Sequence, residues 1–192
     1  VPRGGSLETY VTESAKMEIE HSVGKLPEGP IEAPPPDPKQ PGIVGYGGGE
    51  GCAHCSVEQA GAGVARFHGN VSLENFGGFA SVRTPPRDWD TTGAEAFVLR
   101  VRGDGKIYKF TIRTSDGFDG IQYQQRFTAA AGEWSDVRLP VSDFVATFRG
   151  RKVPFAPSLD PAKVRAIGLM ISDKQAGSFE LLVDRIAIER RK

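Results

Sequence analysis

Apolar and polar residues alternate, with Val98 as the exception, along two neighbouring runs in the middle of the chain. In the first, Phe97, Leu99 and Val101 alternate with Val98, Arg100 and Arg102. In the second, Tyr108, Phe110 and Ile112 alternate with Lys109, Thr111 and Arg113. A period of two marks a β-strand with one buried face. Between the runs stands Gly103-Asp104-Gly105, and Asp-Gly is a favoured hairpin turn because glycine takes positive φ without steric cost. The local pattern therefore predicts an antiparallel hairpin with an aromatic-rich inner face.

The same texture extends over most of the chain. It predicts strands near 62–71, 77–84, 95–103, 106–114, 121–129, 133–139, 165–172 and 178–189, separated by Gly, Asn and Asp turns. In the last strand the apolar parity slips: Phe179, Leu181 and Val183 share one parity, Ile186 and Ile188 the other. A bulge near Asp184-Arg185 reconciles them. Two helical turns are expected between the strands. One runs from Ser142 to Phe148, capped by Ser142 or Asp143, and one covers 159–164, capped by Asp160 with Pro161 at its first position. About eight short strands and little helix indicate an antiparallel β-sandwich occupying 57–192.

The N-terminal part reads differently. Residues 1–6 look like what thrombin leaves of an affinity tag, in which case the natural N-terminus and any targeting peptide are missing. Residues 7–23 have the character of a short helix, with Val11, Ala15 and Ile19 as a thin apolar stripe. Residues 24–56 form a linker: the seven prolines between Pro27 and Pro41 resist helix and central strand, and glycines follow from Gly45 to Gly51. Those glycines lack the spacing of a dinucleotide loop.

Formal charge is zero overall. The 24 basic and 24 acidic residues are unevenly spread, but too mildly to indicate a nucleic-acid partner. No apolar run is long enough to span a bilayer. Cys52 and Cys55 supply half a zinc site at most, and Ser56 stands where haem attachment needs histidine. Incidental thiols are the preferred reading, with a metal site and a redox pair or disulfide as alternatives. His21, His54 and His68 are scattered, and Asp104, Asp116, Asp119 and Asp173 sit in turns, where aspartate bonds its own backbone. No catalytic, metal or cofactor site is expected. Trp134 is expected in the core, while Trp89 and Phe118 fall in loops and could stack on a sugar.

The outward parity offers a binding surface. Arg100 and Arg102, then Lys109 and Arg113, then Gln122, Gln124 and Arg126 lie on consecutive strands. If those strands are neighbours, the seven residues form one cationic, polar face, which is either simply solvated, as antiparallel sheets often are on one side, or a binding face for an acidic partner, RNA or sugar.

An ordered series of motifs adds a family resemblance. Phe67-His68-Gly69-Asn70 is followed by Gly77-Gly78-Phe79-Ala80, then Arg102-Gly103-Asp104-Gly105 with Tyr108. Trp134 precedes Val137-Arg138-Leu139-Pro140, and Ile167-Gly168-Leu169 leads to Asp173 and Gly177-Ser178-Phe179. Over residues 64–189 this series resembles the complex I intermediate-associated protein family. The resemblance implies a jelly-roll sandwich like galactose-binding domains, and assembly factors acting on protein subunits of a membrane redox or photosynthetic complex. In plant and algal relatives the domain is an insert in an atypical short-chain dehydrogenase, and one such group supports synthesis of a photosystem II subunit through its messenger RNA. The expectation is a non-enzymatic interaction module in an organelle, the chloroplast favoured over the mitochondrion. RNA binding and carbohydrate binding are the alternatives.

Overall fold

A computed structural model describes residues 52–60, 63–73, 78–117 and 119–190. The expected tag remnant, helix 7–23 and most of the linker, as well as Phe118, lie outside the described residues.

The strands in chain order are β1 (Cys52–Gln59), β2 (Ala65–Val71), β3 (Ala80–Arg83), β4 (Ala94–Arg102), β5 (Ile107–Arg113), β6 (Gln122–Thr128), β7 (Ser135–Pro140), β8 (Val145–Phe148), β9 (Arg151–Lys152), β10 (Ala166–Ile171) and β11 (Gly177–Arg190). They form two antiparallel sheets, one in the order β1-β2-β11-β4-β7 and the other β3-β10-β5-β6-β8-β9. This is the all-β sandwich the alternation indicated. All eight expected strands are present, and β1, β8 and β9 are additional. β1 pairs with β2 from Cys52 to Gln59, with a register shift between Ala53 and Ser56, so the sandwich includes residues before 57.

Between the sheets lies an aromatic core. Phe97, Leu99 and Val101 from β4 and Tyr108, Phe110 and Ile112 from β5 are completely buried. Phe97 meets Phe110 of the opposite sheet at 5.5 Å between ring centroids and Phe144 at 5.8 Å. The register of β11 against β4 shifts between Val183 and Arg185. That bulge brings both Val183 and Ile186 into the core, as the slipped parity required.

The expected β4–β5 hairpin does not form. β4 lies in the five-stranded sheet between β11 and β7, and β5 in the six-stranded sheet between β10 and β6. Gly103 to Lys106 instead carry the chain across the edge of the sandwich. Asp104 fixes this crossing. Its Oδ1 accepts from the Lys106 amide at 3.1 Å and the Tyr108 hydroxyl at 2.9 Å, and its Oδ2 from the Glu180 amide of β11 at 3.1 Å. The turn signal was sound, since Gly105 has φ of 84°. The error was to assign the turn to one sheet.

Two further expectations change. The 3-10 turn after β7 covers Val141–Asp143 alone, and Val145 to Phe148 form β8, where β-branched Val145 and Thr147 and aromatic Phe148 favour strand. The second turn, Pro161–Lys163, has Asp160 as its cap, accepting from the Ala162 amide. Trp134 is not in the core. It is half-buried beside β7, with the Arg102 and Arg100 guanidinium carbons 5.3 and 6.0 Å from its ring. Trp134→Ala is accordingly expected to cost about 1 kcal/mol, a cation–π loss with some packing, read as a shift of a few degrees in Tm. Trp89 is the buried indole, 7% exposed, its Nε1 donating to the Arg165 carbonyl. It is not available to stack on a sugar.

Candidate functional site

Because β4 and β5 lie in different sheets, the seven candidate binding residues divide. Arg100 and Arg102 project from the outer face of the five-stranded sheet. Lys109, Arg113, Gln122, Gln124 and Arg126 project from the outer face of the six-stranded sheet, on the other side of the molecule. Within that second group the register brings them together as expected: Lys109 opposes Arg126, and Thr111 opposes Gln124.

The two outer faces differ in charge. On the five-stranded sheet, basic and acidic residues interlock. Arg66 bridges Glu58 at 2.5 Å and Glu180 at 2.6 Å. Arg100 lies 3.4 Å from Asp184 and 3.8 Å from Asp136, and Asp136 also lies 3.7 Å from Arg185. Arg138 holds Glu189 at 2.8 Å, and that contact keeps the Glu189 carboxyl below its usual range. The five arginines (66, 100, 102, 138 and 185) thus stand among five carboxylates. The cationic face expected at Arg100 and Arg102 is neutralised by its own sheet.

The strands of the six-stranded sheet contain no Asp or Glu. Cross-strand pairing places Arg83 of β3, Lys109 and Arg113 of β5, Arg126 of β6 and Lys152 of β9 on the same side. Asp173, in the turn after β10, is bound by two of them. It accepts from Lys109 at 2.9 Å and pairs with Arg126 at 2.7 Å. Burial works to raise its pKa, but the Lys109 hydrogen bond and the Arg126 charge outweigh that and hold it below the usual carboxylate range. Asp119, in the loop after β5, is held by Arg149 at 2.6 Å.

The outward side chains of this sheet are also crowded. Lys109, Thr111 and Thr147 are 8%, 5% and 3% exposed, as little as the core, although they point away from it. At the centre Gly168 and Ala166 of β10 form a low floor between Arg83 and Arg113. A Cβ on Gly168 would collide with the Val82 carbonyl and sit 2.8 Å from the Thr111 hydroxyl. Burial lowers the pKa of the Arg113 guanidinium, and the nearby Arg83 charge lowers it further.

Tyr123 and Phe127 of β6 turn inward and are buried, so they interleave no exposed rings with these cations. Among the described residues, no group of three or more His, Cys, Asp or Glu is placed to hold a metal. Cys55 is disulfide-bonded, which corrects its reading as an incidental thiol. Sequence reasoning missed one cluster. Ser56 Oγ lies 2.9 Å from His68 Nε2, and Glu58 lies 3.3 Å from the same nitrogen. Serine and carboxylate thus compete for one ring atom, whereas a nucleophile–base–acid relay uses both nitrogens.

The family model for complex I intermediate-associated protein 30 (CIA30) matches residues 45–183. The chain belongs to this family. Among its relatives is the mitochondrial CIA30 of Neurospora crassa, 30% identical over 64% of this chain and 50% of that protein. Another is the mitochondrial CIA30 of Drosophila melanogaster, 26% identical over 73% of this chain and 55% of that one. The chain thus spans about half the length of these CIA30 relatives. Their names place them in mitochondria, which overturns the expectation of a chloroplast protein. Among solved structures this chain is similar to the family 11 carbohydrate-binding module of a Clostridium thermocellum cellulase, with TM-score 0.58 and 16% identity, over 79% of its own length and 91% of that chain. That module in complex with a mixed-linked tetrasaccharide gives TM-score 0.56 at 17% identity, over 77% of this chain and 88% of that one. At such identity the similarity establishes the jelly-roll fold alone. No helix among the described residues is long and apolar enough to cross a membrane.

Proposed function

We propose that this chain is a non-enzymatic interaction module of a mitochondrial complex I assembly factor, holding its client on the outer face of the six-stranded sheet. Membership of the CIA30 family supports the assembly role. The observation that carries the choice of surface is the contrast in charge between the two faces. Arg66, Arg100, Arg138 and Arg185 are occupied by carboxylates of their own sheet. The strands of the opposite sheet contain no Asp or Glu, and their outer face gathers five cations, two of which share Asp173 from a turn. Holding like charges together on a crowded sheet is unfavourable, and an acidic client relieves it.

The test compares matched pairs of substitutions. A tagged chain is expected to co-purify complex I subunits from mitochondria that accumulate assembly intermediates. Arg113→Gln with Arg126→Gln should reduce that recovery severalfold, while Arg100→Gln with Arg102→Gln should leave it near wild type. Equal recovery by both pairs would remove this face from the interaction.

A further inference from the structure

The six-stranded sheet ends at one edge in the β8–β9 hairpin, whose sequence differs from the rest of the surface. From Phe144 to Leu159 there is no aspartate or glutamate, while Arg149, Arg151 and Lys152 fall close together. Arg151 and Lys152 are exposed and pair with no carboxylate among the described residues. Arg149 holds Asp119 and sets its guanidinium carbon 5.2 Å from the centre of the Phe148 ring. Val145, Phe148 and Phe155 stand exposed among these cations, and Phe155 is fully exposed.

The backbone holds these side chains out at a cost. Arg149 and Gly150, the central residues of the β8–β9 turn, have φ of 48° and 79°. Such a turn favours Asn or Gly at both positions. Phe155 has φ of 63° in a turn that the Ala156 amide closes onto the Val153 carbonyl. Pro154 suits the first central position of that turn, but the second is a place for Gly or Asn. A bulky residue there is a genuine outlier. The Val153 amide bonds the Ala146 carbonyl, and the Tyr123 hydroxyl donates to the Pro157 carbonyl, so the loop is tied down on both sides of Phe155. A fully exposed ring returns no packing to offset the strain, and a strained residue held by its surroundings points to a use.

We infer that this edge is an interfacial anchor for an anionic phospholipid bilayer: Phe155 and Phe148 enter the boundary between headgroups and acyl chains, while Arg151 and Lys152 meet the lipid phosphates. Apolar insertion and attraction to anionic lipid are each weak alone and effective together. Charge and shape select this occupant. A stretch with three cations and no acid complements a surface of uniform negative charge. A hairpin tip and a proline-led knob are convex, and a bilayer yields to a convex probe where a protein must supply a matching pocket. Single-stranded nucleic acid stacks successive bases on successive rings, whereas here Arg149 covers Phe148 and leaves Phe155 as the one bare ring of the loop. Contact at the surface requires no membrane-crossing helix.

The anchor goes beyond the client-holding face, with which it shares Lys152 alone, and its test needs no complex I. The chain is sedimented with vesicles of equal parts phosphatidylcholine and phosphatidylglycerol, and with vesicles of phosphatidylcholine alone. Wild type is expected to sediment with the anionic vesicles, to stay in solution with the neutral ones, and to be released as salt rises. Arg151→Gln with Lys152→Gln should weaken binding ~10-fold or more. Phe155→Gly is the discriminating variant. Glycine takes the left-handed conformation without steric cost, so its Tm should equal or exceed that of wild type while its affinity for anionic vesicles falls ~10-fold. A lowered Tm would make Phe155 a structural residue and overturn the anchor. Phe155→Trp should show a blue-shifted emission on anionic vesicles and quenching by brominated acyl chains. Wild type should show neither, since Trp89 is buried and Trp134 lies under two arginines of the five-stranded sheet. Binding by Phe155→Trp without those signals would be adsorption by charge alone and would overturn insertion. No binding by folded wild type, or binding undiminished in both the Arg151/Lys152 and Phe155→Gly variants, would overturn the bilayer as occupant. A single-stranded oligonucleotide that wild type holds in preference to the vesicles, and that Phe155→Gly releases, would reassign the edge to nucleic acid. If Phe155→Gly binds vesicles as wild type does but loses complex I subunits, the edge belongs to the protein client instead.

Discussion

Asp104→Ala is expected to lower the unfolding free energy by about 3 kcal/mol, since several hydrogen bonds to one carboxylate are lost and at least one amide is left unpaired. The carboxylate receives the Lys106 amide, the Tyr108 hydroxyl and the Glu180 amide, and so ties the crossing between sheets to β11. Tyr108 is fully buried beneath it, and its single hydroxyl proton also has the Glu180 carbonyl as an acceptor at 3.1 Å, to which it can turn when Asp104 is removed. For a domain of this size such a loss corresponds to a fall of roughly 10 °C in Tm, measurable by calorimetry with urea melts as a check. Asp104→Asn retains one acceptor oxygen and should lose less. A companion effect concerns alkaline pH. Burial pushes the Tyr108 phenol far above its ordinary value of 10.0, and the Asp104 charge adds to this. The folded state therefore keeps a proton that the unfolded chain releases. The stability Tyr108 contributes is fully present below pH 10 and is lost progressively above it. Tyr108→Phe should flatten that decline relative to wild type. A decline of the same slope in both proteins would assign it to other groups.

Phe97→Ala is expected to cost about 4 kcal/mol, within the range for deleting a fully buried aromatic ring. Phe97 reaches from β4 to Phe110 of the opposite sheet and to Phe144 beside the 3-10 turn. Its removal opens a cavity at the junction of three elements. The contrast with Trp134→Ala is informative. Both are large aromatics next to strands, but one has its ring between the sheets and the other has its ring under two arginines. Denaturant midpoints for the two variants should differ well outside error. A smaller effect for Phe97→Ala than for Trp134→Ala would contradict the packing described.

The sequence pattern revealed much of this architecture because alternation is a local property. Each of the eight expected strands declared its buried face, and the slipped parity of β11 even located its bulge. What alternation cannot carry is the identity of the neighbour. The Gly103-Asp104-Gly105 turn has the same local signature whether it closes a hairpin or bridges two sheets; the difference lies in the Glu180 amide, 76 residues away. Arg100 and Arg102 were misplaced for that reason. β1 was missed because its polar residues sit directly after the glycines, and β9 because two residues leave no period to read. At the candidate site, Lys109, Arg113, Gln122, Gln124 and Arg126 were legible from parity on adjacent strands. Arg83 and Asp173 were not, since they reach the face from β3 and from the turn after β10 through long-range pairing.

The strand order also has a consequence for how the chain is made. β10 sits between β3 and β5, and β11 between β2 and β4. The two strands of the sandwich that are synthesised last are therefore central ones, one in each sheet. Until they emerge, β2, β3, β4 and β5 each present an unpaired edge, the kind of edge that recruits other chains. Neither sheet can close progressively as synthesis proceeds. Folding must instead be a late, concerted event in which two arriving strands enter prepared slots, and such long-range closure is slow. A nascent chain halted before Ala166 would hold most of the hydrophobic surface of the sandwich and neither keystone, which leaves it open to aggregation during that interval.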